Sequence, residues 1–249
     1  MINQDERIDR VNENILLIQK KDGLTFGTDA LLLAAFIKKS PKSIALDFGA
    51  GSGIISFLCA ARNKFHKIFT LEVQSDFCDI ISRNVEINSF DNKISVINKD
   101  VRTLNFNDIG CEADVIFSNP PYMRAGSGKQ NDETKKALAR HEIMGNIYDF
   151  CTSAAKNLKH GGKMYLVYRP ERMAELFYAM RSAKIEPKRV CMVHPDIASP
   201  PSLILVEGKK GASAEIKITK PLIVYTDLTH SQYTDDFQYI HDNGNFKEI

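Results

Sequence analysis

The sequence contains no apolar run close to the roughly 18 to 20 residues that a membrane-spanning helix needs. Its first residues, MINQDERIDRVNEN, are too polar for a secretory signal peptide. The five cysteines are odd in number, widely spaced and without a CxxC pair, which argues against a disulfide framework and a zinc site. No repeat or low-complexity segment is present. We therefore expect a soluble cytoplasmic protein with reduced thiols, no membrane anchor and no metal site.

The chain does contain enough apolar sequence for a substantial core, because 43% of its 249 residues are hydrophobic. Its net charge of +2 is unevenly distributed. Residues 124–190 hold 14 basic and 7 acidic side chains, a net of +7, whereas the segments before and after them carry net charges of −2 and −3. Such a basic block is either a solvated surface or a binding surface for a polyanion.

Short apolar segments alternate with segments of helical spacing along most of the chain. The predicted strands are SIALDF, KIFTLEV, KISVINKD, ADVIFS, KMYLVYR, RVCMVHP and SLILVEGKK. The predicted helices are IISFLCAARN, QSDFCDIISRNVEIN, residues 146–159 ending at the Gly161-Gly162 pair, and ERMAELFYAMRSA after Pro170. This alternation predicts an α/β fold with a seven-stranded, mostly parallel sheet, helices on both faces and an antiparallel last strand. The tail AEIKITKPLIVY predicts a hairpin against that sheet.

A glycine-rich turn, DFGAGSG, follows the first predicted strand. Gly49, Gly51 and Gly53 allow bare backbone to approach a ligand at a helix N-terminus. The spacing departs from the dinucleotide pattern G-x-G-x-x-G, because Ile54 stands where the third glycine should be. Asp47 precedes the turn, and its carboxylate would repel a pyrophosphate. The turn therefore favours a cationic or amine-bearing ligand.

Two further acids stand at the ends of the next two predicted strands. Glu72 is placed to accept hydrogen bonds from ribose hydroxyls, and Asp100 to face an adenine amine. Each acid, taken singly, is equally well explained as a turn or helix-cap residue. With Asp47 they would line one crevice, since parallel strands end at the same edge of a sheet.

The fourth predicted strand runs into SNPPYM. Two prolines lack backbone donors and fix their φ angles, so they end a strand in any protein. A rigid turn at the carboxyl end of a parallel strand is also where open α/β sheets bind ligands. Both explanations fit the turn when it is considered alone.

The segments ALDFGAGSG, TLEV, NKDV and SNPPY, in this order, resemble the motifs of class I S-adenosylmethionine-dependent methyltransferases, which have a Rossmann-like fold. The resemblance covers Ile44 to Val193. It implies S-adenosylmethionine as the cofactor, and it implies a set of cofactor contacts: Asp47, Gly49, Gly51 and Gly53 for the methionine part, Glu72 and Val73 for the ribose, Asp100 and Val101 for the adenine, Gly27, Thr28 and Asp29 in a covering segment, and Asn119. Thr28 or Asp29 could instead simply cap the following helix.

The resemblance also implies a chemical role for the turn formed by Asn119, Pro120, Pro121 and Tyr122. The exocyclic amine of adenine is a poor nucleophile because its lone pair is delocalised into the ring. The Asn119 side-chain oxygen and the Pro120 carbonyl would each accept one N–H and direct the lone pair toward the methyl donor. Tyr122 would stack on the base. This scheme needs no strong general base.

The combination FGTDALLLAAF, DFGAGSG, SNPPY, RHE and LVEGKKG resembles the bacterial tRNA adenine-N6 methyltransferase family. That resemblance implies adenine 37 of a valine tRNA as the substrate. The candidate RNA contacts, which follow the turn, are Arg124, Lys129, Lys135, Lys136, Arg140 and His141. A ribosomal RNA adenine methyltransferase, a protein-glutamine methyltransferase and a noncatalytic, cofactor-binding RNA chaperone remain alternatives.

We expect a single domain in three parts. Residues 1–40 would close over the cofactor, residues 41–210 would form the catalytic core, and residues 211–249 would form a C-terminal extension. The sequence does not indicate the oligomeric state.

Overall fold

The computed structural model describes residues 2–21, 27–121 and 145–247. The strands are β1 (Glu6–Asn12), β2 (Ile15–Lys20), β3 (Ile44–Phe48), β4 (Lys67–Glu72), β5 (Ile94–Asn98), β6 (Ala113–Ser118), β7 (Leu158–Tyr168), β8 (Ile185–His194), β9 (Leu203–Lys210), β10 (Lys217–Ile218) and β11 (Leu222–Ile223). The α-helices are α1 (Thr28–Phe36), α2 (Ile54–Ala61), α3 (Ser75–Ile87), α4 (Phe106–Ile109), α5 (Ile147–Asn157), α6 (Met173–Ser182) and α7 (Asp235–Asn243). Single 3-10 turns lie at Val101–Thr103 and Pro170–Arg172.

The main sheet has the strand order β10-β8-β9-β7-β6-β3-β4-β5, and β11 also pairs with β8. Strands β5, β4, β3, β6 and β7 are mutually parallel, whereas β9 is antiparallel to both β7 and β8. The predicted fold, a mostly parallel seven-stranded sheet with an antiparallel last strand, is confirmed for β3 to β9, and β10 and β11 extend the described sheet to nine strands at β8. The order reverses at β3, whose neighbours are β4 on one side and β6 on the other. In open α/β sheets such a reversal opens a ligand crevice beyond the carboxyl ends of the strands.

Two apolar layers cover the sheet, one on each face. Strand β6 shows how the alternation of side chains builds both layers. Val115 and Phe117 pack in the layer that contains α1 and α2. Ile116 packs in the layer that contains α5 and α6. A strand buried on both faces therefore carries apolar residues at successive positions, as Val115, Ile116 and Phe117 do.

Two details differ from the sequence prediction. Helix α5 ends at Asn157, before the Gly161-Gly162 pair that was predicted to stop it, and the pair lies inside β7. A Cβ at Gly162 would lie only 2.9 Å from the Lys159 carbonyl oxygen, so the glycine is needed for the close approach of the chain to itself. The tail does not form the predicted hairpin, because β10 and β11 both run parallel to β8.

An N-terminal hairpin, β1 with β2, forms a separate two-stranded sheet that the sequence analysis did not predict. Two asparagine side chains, Asn84 in α3 and Asn88 at its C-cap, hydrogen-bond to the backbone at the edge of β2, where a neighbouring strand would otherwise pair. Asn84 accepts from the Ile18 N–H at 2.7 Å and donates to the Ile18 carbonyl at 3.1 Å. Asn88 does the same for Leu16, at 2.9 and 2.7 Å. These four bonds satisfy backbone groups that would otherwise form an open sheet edge.

An ion pair reinforces this docking. Both carboxylate oxygens of the buried Glu6 accept from the guanidinium of Arg83 on α3, at 2.7 and 2.6 Å. The hydrogen bond from Arg83 lowers the pKa of Glu6 from 4.5 to about 2, against the opposing effect of burial. The ionised form of Glu6 therefore favours the folded state.

We predict that Glu6 makes the folding stability depend on acidity. Because its pKa is lower in the folded state, its contribution is complete above about pH 4.5 and is lost as the pH falls toward about 2. Thermal unfolding of the wild type and Glu6→Gln should show a midpoint gap at about pH 6 that shrinks by about pH 3. Glu13→Gln, an exposed glutamate in the hairpin turn, is the control. A gap that does not change with pH would contradict this prediction.

Candidate active site

The glycine turn lies at the carboxyl end of β3, where the strand order reverses. Gly49, Gly51 and Gly53 all have positive φ angles, 67°, 57° and 81°, which side chains rarely adopt. A Cβ at Gly53 would also lie 2.8 Å from the ring of Phe57. By contrast, a Cβ at Gly51 would meet nothing within 4 Å, so this part of the loop faces open space. The turn thus presents bare backbone on one side and packs tightly on α2 on the other.

Glu72, at the end of β4, is hydrogen-bonded to this turn. Its carboxylate is buried and accepts from the Gly51 N–H at 2.9 Å and from the Gln74 N–H at 3.0 Å. An ionised carboxylate has about four lone-pair sites, so two bonds leave acceptor capacity for a ligand. The structure therefore brings Glu72 and the glycine turn together, as the sequence predicts.

Asp47 lies deeper than the other acids. Its side chain is 1% exposed, and one carboxylate oxygen accepts from the Ser56 hydroxyl at 2.7 Å. Burial raises the pKa of Asp47 from 3.8 to about 7, and the negative charge of Glu72 adds a smaller contribution in the same direction. Ser56 was not among the site residues predicted from the sequence. Its single hydroxyl within the apolar segment IISFLCAA was a signal that a buried hydrogen-bond acceptor lies nearby.

Asp100 has the cap role that was the alternative explanation for it. Its carboxylate accepts from the Arg102 N–H at 2.8 Å and from the Arg102 guanidinium, and it caps the 3-10 turn that follows. The hydrogen bond from the Arg102 side chain is the largest cause of the lowered pKa of Asp100. Asp100 nevertheless lines a crevice together with other predicted cofactor residues. The lining residues of that crevice are Gly49, Leu71, Glu72, Val73, Lys99, Asp100, Val101 and Phe150.

Asn119, directly after β6, is joined to the N-terminal segment. Its side-chain nitrogen donates to the Asp29 carboxylate at 2.8 Å, across 90 positions of sequence. Because a carboxylate can only accept, this bond sets the orientation of the amide: the NH2 end faces Asp29 and the oxygen is at the other end. The end of β6 is anchored as well, since Ser118 donates to the Phe48 carbonyl at 2.7 Å.

Asp29 lies in the first turn of α1, which begins at Thr28 after Gly27. Gly27 is the N-cap residue of this helix, so neither Thr28 nor Asp29 stands at the N-cap position that was the alternative for them, although the Asp29 carboxylate does accept a first-turn N–H. A Cβ at Gly27 would lie 2.6 Å from the nearer Asp29 oxygen, which accepts from the Ala30 N–H at 2.9 Å. The glycine therefore leaves the space that the Asp29 carboxylate occupies.

The prolines of the turn are described: Pro120 is buried and Pro121 is partly exposed. The remaining candidates lie outside the described residues: Tyr122, Arg124, Lys129, Lys135, Lys136, Arg140 and His141. Within the described ranges, no three His, Cys, Asp or Glu side chains are grouped as metal ligands would be. Nor does any helix in those ranges combine the length and apolar character needed to cross a membrane.

Comparisons with known proteins agree with this geometry. A relative from Parabacteroides distasonis, named tRNA1(Val) (adenine(37)-N6)-methyltransferase, is 27% identical over 220 residues, which are 88% of this chain and 90% of the relative. A crystal structure from Agrobacterium tumefaciens, described as a predicted O-methyltransferase, superimposes with a TM-score of 0.71 at 21% identity, covering 88% of this chain and 98% of that one. The structure of TYW2 from M. jannaschii in complex with AdoMet gives a TM-score of 0.56 at 15% identity, covering 83% and 86%.

The two solved structures identify the fold as that of class I methyltransferases, as the sequence motifs predict. The family model described as "Methyltransferase small domain" matches residues 20–185, about two thirds of the chain. The predicted enzyme class and the predicted cofactor, S-adenosylmethionine, are confirmed. The chain belongs to the methyltransferase small domain family.

Proposed function

We propose that this enzyme methylates the exocyclic N6 of an adenine in RNA, and that adenine 37 of a valine tRNA is its substrate in the cytoplasm. The observation that carries this proposal is the bond between Asn119 and Asp29, which presents an oriented amide at the strand end next to the crevice of the glycine turn. The name of the Parabacteroides distasonis relative supports the same reaction and position.

The residues around the crevice fit S-adenosylmethionine. When bound, this cofactor supplies a methyl group on a positively charged sulfur. The open side of Gly51 leaves space for it, Glu72 retains acceptor capacity for hydroxyls, and Val101 with Phe150 offers apolar surface. We assign cofactor contact to Gly27, Thr28, Asp29, Asp47, Gly49, Gly51, Gly53, Glu72, Val73, Asp100, Val101 and Asn119.

The reaction needs two hydrogen-bond acceptors at fixed positions beside the substrate amine. The Asn119 side-chain oxygen and the Pro120 carbonyl each accept one N–H of the amine, which holds the nitrogen lone pair out of the plane of the ring. Positive charge that develops on the nitrogen is then stabilised by dipoles already aligned with it. The rings of Pro120 and Pro121 restrict the backbone and keep the carbonyl in this position.

Asp29 acts through Asn119 and is therefore a positioning residue. If the amide were to rotate by half a turn, its NH2 group would face the amine, and two donors would oppose each other. The bond at 2.8 Å to a carboxylate excludes that orientation. Asp29 thus contributes to catalysis without itself touching the reacting atoms.

The remaining assignments complete the proposal. Tyr122 stacks on the target base, and the basic residues of the segment after it contact phosphates: Arg124, Lys129, Lys135, Lys136, Arg140 and His141. We also propose that residues 1–249 form one domain, with residues 1–40 covering the cofactor, residues 41–210 as the core and residues 211–249 as an extension.

The first test identifies the product. Incubation with methyl-labelled S-adenosylmethionine and total RNA, followed by digestion to nucleosides, should yield N6-methyladenosine. Mass spectrometry of RNase fragments should place the methyl group at position 37 of a valine tRNA. Label in ribosomal RNA would reassign the substrate, and label that appears in protein alone would favour a glutamine amide, which is also a planar nitrogen.

We predict that Asn119→Ala reduces kcat by about 10² to 10³, the range found when one preorganised hydrogen-bonding group is removed from an active site. The affinity for S-adenosylmethionine should change much less, because the amide acts mainly on the substrate amine. Single-turnover kinetics and calorimetric titration of the cofactor measure the two effects separately. Equal losses in both would make Asn119 mainly architectural.

Asp29→Asn should reduce kcat by about tenfold, a loss of about 1.4 kcal/mol, because an amide partner no longer enforces the orientation of Asn119. In the Asn119→Ala background the same change should have little further effect, since there is no amide left to orient. Asp76→Asn, which also alters an acid in the first turn of a helix, is the matched control. Additive losses in the double variant would show that Asp29 acts independently of Asn119.

A further inference from the structure

A second concave site lies at the opposite end of the sheet from the glycine turn. It is a cavity of about 360 Å³, between the chain that connects α1 to β3 and the amino-terminal ends of β6 and β7. Its volume falls within the range of about 300 to 1,000 Å³ that ligand sites occupy. We refer to it as the amino-end cleft.

Positive charge dominates the amino-end cleft. Lys38 and Lys39 line one wall, Lys159, His160 and Lys163 line the other, and Asp114 is the acid among the lining residues. Asp114 is bound to Lys159 at 2.7 Å, and Lys163 is bound to Glu207 at 2.9 Å. Lys38 and Lys39 are both exposed, and in the described part of the chain neither forms an ion pair.

The other groups in the cleft also suit anions. Ser40 and Ser43 contribute hydroxyls to its lining, and their oxygens are hydrogen-bonded to each other at 2.6 Å. Gly161 and Gly162 keep the β7 wall free of side chains at two successive positions. Ammonium groups, hydroxyls and an imidazole are ligands for phosphate oxygens.

The surrounding surface indicates a polymeric anion. Residues 145–190 contain nine Lys or Arg and four Asp or Glu, so they carry +5 of the +7 charge of the basic block. From the sequence alone, that block is either a solvated surface or a binding surface for a polyanion. In the structure, many of its lysines lie where helices end and β7 and β8 begin, at the end of the cleft: Lys156, Lys159, Lys163, Lys184 and Lys188.

We propose that the amino-end cleft binds backbone phosphates of the RNA substrate. This site is separate from the catalytic turn at Asn119, where the target adenine would bind. This inference rests on the proposed function. Val115 in the cleft and Asn119 at the catalytic turn are four positions apart along β6, about 13 Å at strand geometry. One structured RNA that follows the protein surface can therefore span both sites.

The test compares Lys38→Gln/Lys39→Gln with the wild type. Each lost phosphate contact should reduce the slope of log affinity for RNA against log salt by about 0.7 to 0.9, so the double variant should lose about 1.5. At physiological salt, KM for RNA should rise by about tenfold. The values of kcat and cofactor affinity should stay unchanged, because Lys38 and Lys39, at the end of the proposed covering segment, lie at the amino end of the sheet and do not line the cofactor crevice. Lys217→Gln/Lys220→Gln, an equal charge change on the exposed C-terminal extension, is the control and should retain most of the wild-type slope.

Equal slopes in the two double variants would overturn the proposal. Pyrophosphate is the probe for a small phosphate compound: if Lys38→Gln/Lys39→Gln abolished its binding while the RNA slope stayed at the wild-type value, the ligand would not be RNA. The failure of the proposed function looks different, because a wild type that forms no N6-methyladenosine in any RNA is detected before the variants are compared.

Discussion

The hydrogen bond between Asn119 and Asp29 joins the two segments on which the proposed chemistry depends. One is the rigid turn after β6, and the other is the first turn of α1. A carboxylate offers only hydrogen-bond acceptors, so it binds the NH2 end of the amide, and the amide oxygen is directed elsewhere. The Asp29 carboxylate therefore determines which end of the Asn119 amide faces a substrate. Any change in the position of the N-terminal segment would therefore alter the acceptor geometry at the turn.

The N-terminal hairpin, which precedes that segment in the chain, docks on α3. The hairpin is held against α3 by Asn84, Asn88 and the pair of Glu6 with Arg83. Helix α3 begins three residues after Glu72, the acid that is fastened to the glycine turn. The hairpin thus packs on the helix that directly follows Glu72 in the chain.

The two ends of the sheet differ in charge. At the carboxyl end, Glu72 and Asp100 line a crevice suited to a cofactor with a cationic sulfur, and Asp47 is buried behind the glycine turn. At the amino end, lysines line a cleft suited to phosphates. The buried carboxylates are stabilised by N–H and O–H donors, which offsets part of the desolvation cost of placing them side by side.

Much of this protein follows from local sequence. The alternation of apolar residues predicts the strands and helices of the sheet, the glycines between Phe48 and Ile54 are required by positive φ angles, and two prolines end β6. These features depend on periodicity and backbone conformation, which a short segment determines by itself. The docking of β2 on Asn84 and Asn88, the pairing of Glu6 with Arg83, the pairing of Asn119 with Asp29 and the cleft between Lys38 and Lys159 were decided by the tertiary structure. Each of these needs groups that are brought together only when the chain has folded, so no local pattern encodes which partner a polar side chain will meet.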